Sequence, residues 1–158
     1  MKSLVSKLSV RLIFKNLKLV TVESCTGGLI GKVMTDMVGS SDWYEGGFIT
    51  YSNRAKTKLV NVPEIFIDKY GAVSIEVAEA MAKGASIQFP DCVSVSVTGI
   101  AGPGGGTPEK PVGTVCIACH HCSELKTRRF IFEGSRDDVR EQTVRQALEM
   151  LLSMDLKK

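Results

Sequence analysis

The sequence predicts a single-domain α/β layered sandwich, a mixed and largely parallel sheet covered by helices on both faces. Short β-branched runs alternate with stretches whose apolar residues recur every three or four positions, the order of βαβ units. The last two strand-like runs have no helix between them, which adds a hairpin near the end and makes the sheet mixed. A length of 158 residues with 44% hydrophobic content suits one core, so residues 1–158 read as one domain without internal repeat or linker.

Taken in order, residues 4–16 carry Leu4, Val5, Leu8, Leu12 and Ile13 at helical spacing, and 17–22 follow as a short buried strand running into a turn at Ser24. Leu29, Ile30, Val33, Met34 and Met37 form one helical face, ended by the turn chemistry of Gly39-Ser40-Ser41. Residues 44–51, with Phe48 and Ile49, give a second strand. Residues 56–60 give a short helix stopped near Pro63, and 63–70 another closed by Gly71. Ser74 is the N-cap of a helix with Glu76 in its first turn and an apolar face of Val77, Ala78, Met81, Ala82 and Ala85, ending before Pro90. Val93, Val95 and Val97 then alternate with serines, a strand with one face of small residues. Residues 112–120 and 126–132 are the last two strands, joined through Cys122-Ser123. Ser135 and Asp138 approximate a capping box for a final helix whose Val139, Val144, Ala147, Leu148 and Leu151 share a face.

Composition excludes several classes of function. No apolar run approaches the roughly 20 residues that span a bilayer, and the first residues keep returning to charged and polar types, unlike a signal peptide. A cytoplasmic location without a membrane partner follows as the expectation. The cysteines, Cys25, Cys92, Cys116, Cys119 and Cys122, are five in number, odd in a chain with no export signal, so they read as reduced thiols. A net charge of +3 is mild, and Lys126, Arg128 and Arg129 alternate along a strand face, so no nucleic-acid partner is expected. Cys116, Cys119, His120, His121 and Cys122 invite a zinc reading. Period-two geometry sends Cys116 and Cys119 to opposite faces and no second Cys/His pair completes a tetrahedron, so neither metal nor cofactor is expected.

In such sheets the chemistry gathers at the carboxyl ends of strands. The densest point is Val22-Glu23-Ser24-Cys25-Thr26-Gly27-Gly28, where a hydroxyl, a thiol, a carboxylate and free backbone N–H groups meet at the start of a helix. That combination suits attack on a carbonyl or capture of an anion. Residues 99–107 hold five glycines in nine positions beside a strand end, without the ending of a P-loop or the dinucleotide fingerprint spacing. His120 and His121 are the only histidines and lie away from both glycine-rich turns. A Ser-His-Asp triad is therefore not expected, and a serine nucleophile would need another base. Lys56, with Arg54 and Lys58 near enough in sequence to lower its pKa, is the candidate. Cys25 is the rival nucleophile within the same turn.

Six motifs in order then resemble the CinA C-terminal domain family: 23–28, Gly39-Ser40-Ser41, Gly46-Gly47-Phe48-Ile49-Thr50-Tyr51-Ser52-Asn53, Tyr70-Gly71-Ala72-Val73-Ser74, 97–105, and Lys110-Pro111-Val112-Gly113-Thr114-Val115. The resemblance implies a compact α/β amidohydrolase that converts nicotinamide mononucleotide to nicotinic acid mononucleotide and ammonia in NAD salvage. It implies Ser24 as nucleophile, Lys56 as base and Tyr51 orienting the pair or relaying a proton, with backbone N–H groups of Thr26, Gly27 and Gly28 receiving the oxyanion. Substrate contacts fall on Thr98, Gly99, Gly102 and Gly104 for the nicotinamide or ribose, and on Arg136 and Arg140 for the phosphate. Ser135 stands where the family usually has an acidic residue. A pyridine nucleotide is the implied partner and a homo-oligomer the implied state. The alternative is a non-catalytic nucleotide-binding module with a regulatory or competence-related role.

Overall fold

The computed structural model describes residues 1–156, so the last two residues of the expected 1–158 domain lie outside the described residues. Helix α1 (Lys2–Lys15) buries Val5, Leu8 and Leu12 and stops at Asn16, whose backbone turns left-handed, a conformation asparagine tolerates. Strand β1 (Lys18–Glu23) leads through the Ser24 turn into α2 (Leu29–Thr35). A single 3₁₀ turn at Ser40–Asp42, not read from the sequence, carries the chain into β2 (Tyr44–Ile49). Then come α3 (Asn53–Val60), α4 (Glu64–Tyr70) and α5 (Ile75–Gln88), followed by β3 (Cys92–Gly99), β4 (Thr114–His121), β5 (Glu124–Ile131) and α6 (Arg136–Ser153). Ser74 caps α5 by accepting from Val77 N–H. Ser135 and Asp138 form the complete capping box of α6.

The five strands form one sheet in the order β2-β1-β3-β4-β5. β1 pairs in parallel with β2 and β3, whereas β3–β4 and β4–β5 are antiparallel, so β4 alone runs against the rest. One face carries α1, α2 and α6 over Leu19, Val93, Val95, Val97, Ile117 and Cys119. The other carries α3, α4 and α5 over Val20, Val22, Cys116 and Ala118. The valine–serine alternation of β3 separates the two faces. Ser94 and Ser96 donate to the main-chain carbonyls of Ala82 and Ala78 in α5, at 2.9 and 2.5 Å. Side chains that small let the helix backbone come down onto the sheet.

After β1 the chain returns along one face through α2; after β2 it returns along the other through α3–α5. The carboxyl end of β1 is thus flanked by connections that diverge to opposite faces, the topological position at which open α/β sheets form a crevice. Ser24 stands directly at that end. Among the described residues no helix is long and apolar enough to cross a membrane, and no three His, Cys, Asp or Glu side chains converge as a metal site would require.

Candidate active site

Five segments meet at the crevice: the turn after β1, the link from β2 into α3, the link from α4 to α5, the end of β3, and the start of α6. They enclose a cleft of about 230 Å³ lined by Ser24, Tyr51, Lys56, Thr98, Gly99 and Arg136 among the residues expected from sequence, and also by Cys25, Asn53, Ala72, Val73 and Ala101. A hollow of about 680 Å³ lies at the opposite, amino ends of the strands, but it offers no nucleophile beside a base. Its one thiol, Cys92, is pushed up by burial and, less strongly, by the nearby Glu45 and Asp91 carboxylates. The smaller cleft, by contrast, brings a hydroxyl and an amine together.

Ser52 caps α3 by accepting from Ala55 N–H at 3.0 Å, and the first turn of that helix puts Lys56 under the Ser24 turn. Lys56 is 2% exposed and Ser24 7%. The lysine nitrogen lies 3.0 Å from Ser24 Oγ, 3.0 Å from the Thr50 carbonyl and 3.5 Å from the Tyr51 carbonyl. None of the described ion pairs involves it. Desolvation lowers its pKa from the ordinary lysine value, partly opposed by attraction to Cys25. The expectation that Arg54 and Lys58 lower it is replaced by burial, the dominant cause. A neutral amine has two N–H donors and one lone pair. The two carbonyls can take the donors, which leaves the lone pair for the Ser24 hydroxyl.

Tyr51 enters differently from the expectation. Its carbonyl approaches both Ser24 Oγ and Lys56, each at 3.5 Å, while the residue as a whole is 61% exposed and its phenol accepts from Arg136 at 3.2 Å. The backbone of Tyr51 therefore faces the Ser24–Lys56 pair, and its ring faces the mouth of the cleft. Arg136 also donates to the Gly102 carbonyl at 2.7 Å, tying the glycine-rich loop to α6. Thr98 donates its hydroxyl proton to the Ala72 carbonyl at 2.8 Å, so toward the cleft it presents lone pairs. Cys25, buried beside Ser24, has its thiol pushed up to about 12, chiefly by desolvation. That keeps it protonated and weakly nucleophilic.

Four expected residues stand elsewhere. Gly27 N–H donates to the Ser24 carbonyl and Gly28 N–H to Glu23 Oε2, at 3.1 and 3.0 Å, so neither is free for an oxyanion. Arg140 donates to the Thr26 carbonyl at 2.9 Å and pairs with Asp137, outside the cleft lining. Gly104 is exposed in its loop with open space around it. The residue missed is Glu23, 0% exposed, which gathers four donors: Thr26 Oγ1 at 2.6 Å and Gly28 N–H and Ile30 N–H at 3.0 Å on Oε2, and Gly31 N–H at 2.8 Å on Oε1. Positive φ at Gly27 and Gly28 lets the chain fold back far enough to present these groups. A signal was available. Period two along β1 places Glu23 on the α2 face, within reach of the helix start.

With this geometry in view, comparison with known proteins is specific. The sequence profile of the CinA C-terminal domain matches residues 1–154. A Pseudomonas putida protein named nicotinamide-nucleotide amidohydrolase PncC is 48% identical over 139 residues, 88% of this chain and 87% of that protein. A CinA-like protein of Desulfotalea psychrophila is 50% identical over 140 residues, 89% of this chain; this chain spans about a third, 34%, of that protein's length. Among solved structures, a CinA superfamily protein from Escherichia coli superposes with a TM-score of 0.90 at 39% identity, covering 94% of this chain and 87% of that one. The competence damage-inducible protein A of Klebsiella pneumoniae gives 0.93 at 28% identity, covering 99% and 98%.

Proposed function

The chain belongs to the CinA C-terminal domain family, and from that premise we propose that it hydrolyses nicotinamide mononucleotide to nicotinic acid mononucleotide and ammonia, a step of NAD salvage, through a Ser24 nucleophile and a Lys56 base. The observation that carries this is the buried 3.0 Å approach of Lys56 Nζ to Ser24 Oγ, with no carboxylate paired to the lysine among the described residues.

Ser24 Oγ attacks the carboxamide carbon as its proton passes to Lys56 Nζ, giving a tetrahedral intermediate with a negatively charged oxygen. Collapse breaks the C–N bond, and Lys56 returns the proton to the departing ammonia. Water then attacks the acyl-Ser24 ester with Lys56 again taking a proton, and the acid leaves as Ser24 recovers its hydrogen. Thr98, with its own proton committed to Ala72, is suited to accept an N–H of the carboxamide. Arg136 at the mouth is the cation for the phosphate, with the Tyr51 phenol holding it in place. The same reading makes the protein a cytoplasmic enzyme of small-molecule metabolism. It also makes the protein a homo-oligomer, for which the exposed Val10, Ile13 and Phe14 of α1 are available apolar surface.

Incubating the purified protein with nicotinamide mononucleotide and following ammonia and nicotinic acid mononucleotide tests the proposal. Stoichiometric release of both is expected. Tight binding of the nucleotide with no product would overturn it in favour of a binding module.

A further inference from the structure

Serine attack on an amide leaves an oxyanion needing N–H donors, and the turn after β1 has few uncommitted. Ser24 N–H donates to Val97, Gly27 N–H to Ser24 and Leu29 N–H to Thr26, while Gly28, Ile30 and Gly31 N–H all go to Glu23. Among the described residues, the N–H of Thr26 is left without a protein acceptor, and that of Cys25 meets only its own thiol sulfur.

Thr26 is held from two sides. Its hydroxyl donates to Glu23 Oε2 at 2.6 Å, and its carbonyl accepts from Arg140 at 2.9 Å, a contact across 114 positions of sequence. Glu23 precedes Ser24 directly and reaches around the turn to the start of α2. Its carboxylate is wholly buried and pairs with none of the described cations. A serine or aspartate at the N-cap would satisfy the helix with less buried charge. A glutamate reaching from the preceding strand does something those residues would not: it ties both ends of the nucleophile turn to one group.

We propose that Glu23 and Arg140 are positioning residues that hold the Thr26 peptide between them, so that the N–H groups of Cys25 and Thr26 receive the oxyanion formed at the substrate carbonyl. The inference rests on Ser24 being the nucleophile. Arg140 thereby serves the chemical step and not the phosphate, which is left to Arg136.

Two observables separate this role from a structural one. In Glu23→Gln and Arg140→Ala proteins, kcat for nicotinamide mononucleotide is expected to fall by about 10²-fold, the loss of one oxyanion donor, with KM within about twofold of wild type. Arg136→Ala is expected to raise KM and leave kcat far less affected. In ¹⁵N spectra, the amide signals of Cys25 and Thr26 are expected to broaden or split in both clamp variants and not in Arg136→Ala. Should Glu23→Gln fail to fold, Arg140→Ala carries the test, its side chain being partly exposed, and Arg140→Lys should recover part of kcat. Unchanged kcat with unchanged Cys25 and Thr26 signals overturns the clamp. Absence of turnover in the wild type would overturn the amidase reading instead, and the amide signals would still decide whether Glu23 and Arg140 hold the turn.

Discussion

Gly84 lies in α5, remote from the cleft in sequence, yet the geometry of catalysis should depend on it. A methyl group at this position would stand 1.8 Å from the carbonyl oxygen of Val60 and 2.7 Å from its carbon. Val60 is the last residue of α3, one turn after Lys56. Relieving that contact to about 3.0 Å requires roughly 1.2 Å of relative movement, and both clashing atoms are main chain, so no rotamer change can absorb it. If α3 yields, the 3.0 Å Lys56–Ser24 approach opens beyond hydrogen-bond reach. A misplacement of about 1 Å is worth about 10²-fold in rate. The overpacking itself is worth about 1–3 kcal/mol, or a fall in Tm of about 2–12 °C for a chain of this size. Steady-state kinetics with nicotinamide mononucleotide and a thermal melt on Gly84→Ala measure both. Lys83→Ala, which removes a long, solvated i,i+4 ion pair from the same helix, should change neither by much. A Gly84→Ala protein with the kcat and Tm of wild type would refute the claim that main-chain contact between α3 and α5 sets the position of Lys56.

The pH profile should show an acid limb with a midpoint below the ordinary lysine value. Burial favours the neutral amine, and activity is present above the folded-state pKa of Lys56 and lost as pH falls through it; a flat acid limb would count against Lys56 as base. Lys56→Arg, which cannot deprotonate, should be inactive at every pH tested. Ser24→Ala should abolish ammonia release, while Cys25→Ala keeps most of it because the buried thiol is pushed up to about 12; the reverse pattern would make the thiol the nucleophile. Arg136→Ala should raise KM for the mononucleotide much more than for a substrate lacking the phosphate, and equal effects on both would remove Arg136 from the phosphate site.

Much of the fold was legible because its signals are local. The 3.6 and 2.0 periodicities, the Ser74 and Ser135 caps, and the Val–Ser alternation of β3 each report their own segment. The Ser24–Lys56 pairing could be argued from the shortage of histidines together with the ordered motifs. The fate of individual backbone donors was not legible. Gly27 N–H is taken by the Ser24 carbonyl in a local turn, whether Gly28 N–H is free depends on the Glu23 side chain reaching over five residues, and the hold on Thr26 depends on α6 placing Arg140 against it. Tyr51 shows the same limit. Its position in sequence marks it as part of the site, but only the fold reveals that its carbonyl faces the lysine while its phenol faces an arginine of α6. The 3₁₀ turn at Ser40–Asp42 was missed because Gly39-Ser40-Ser41 signals a turn without specifying its hydrogen bonding.

The serine face of β3 bears on how this protein can change over evolutionary time. Where side chain meets side chain, as over Val93, Val95 and Val97, one substitution can be offset by another across the layer. Where Ser94 and Ser96 meet the carbonyls of α5, and Gly84 meets the carbonyl of α3, the opposing surface is peptide and cannot be exchanged. Drift should therefore accumulate on the α1–α6 side of the sheet. The stack running from β3 through α5 to α3 should stay dimensionally fixed, so the lysine–serine distance is inherited as a backbone property.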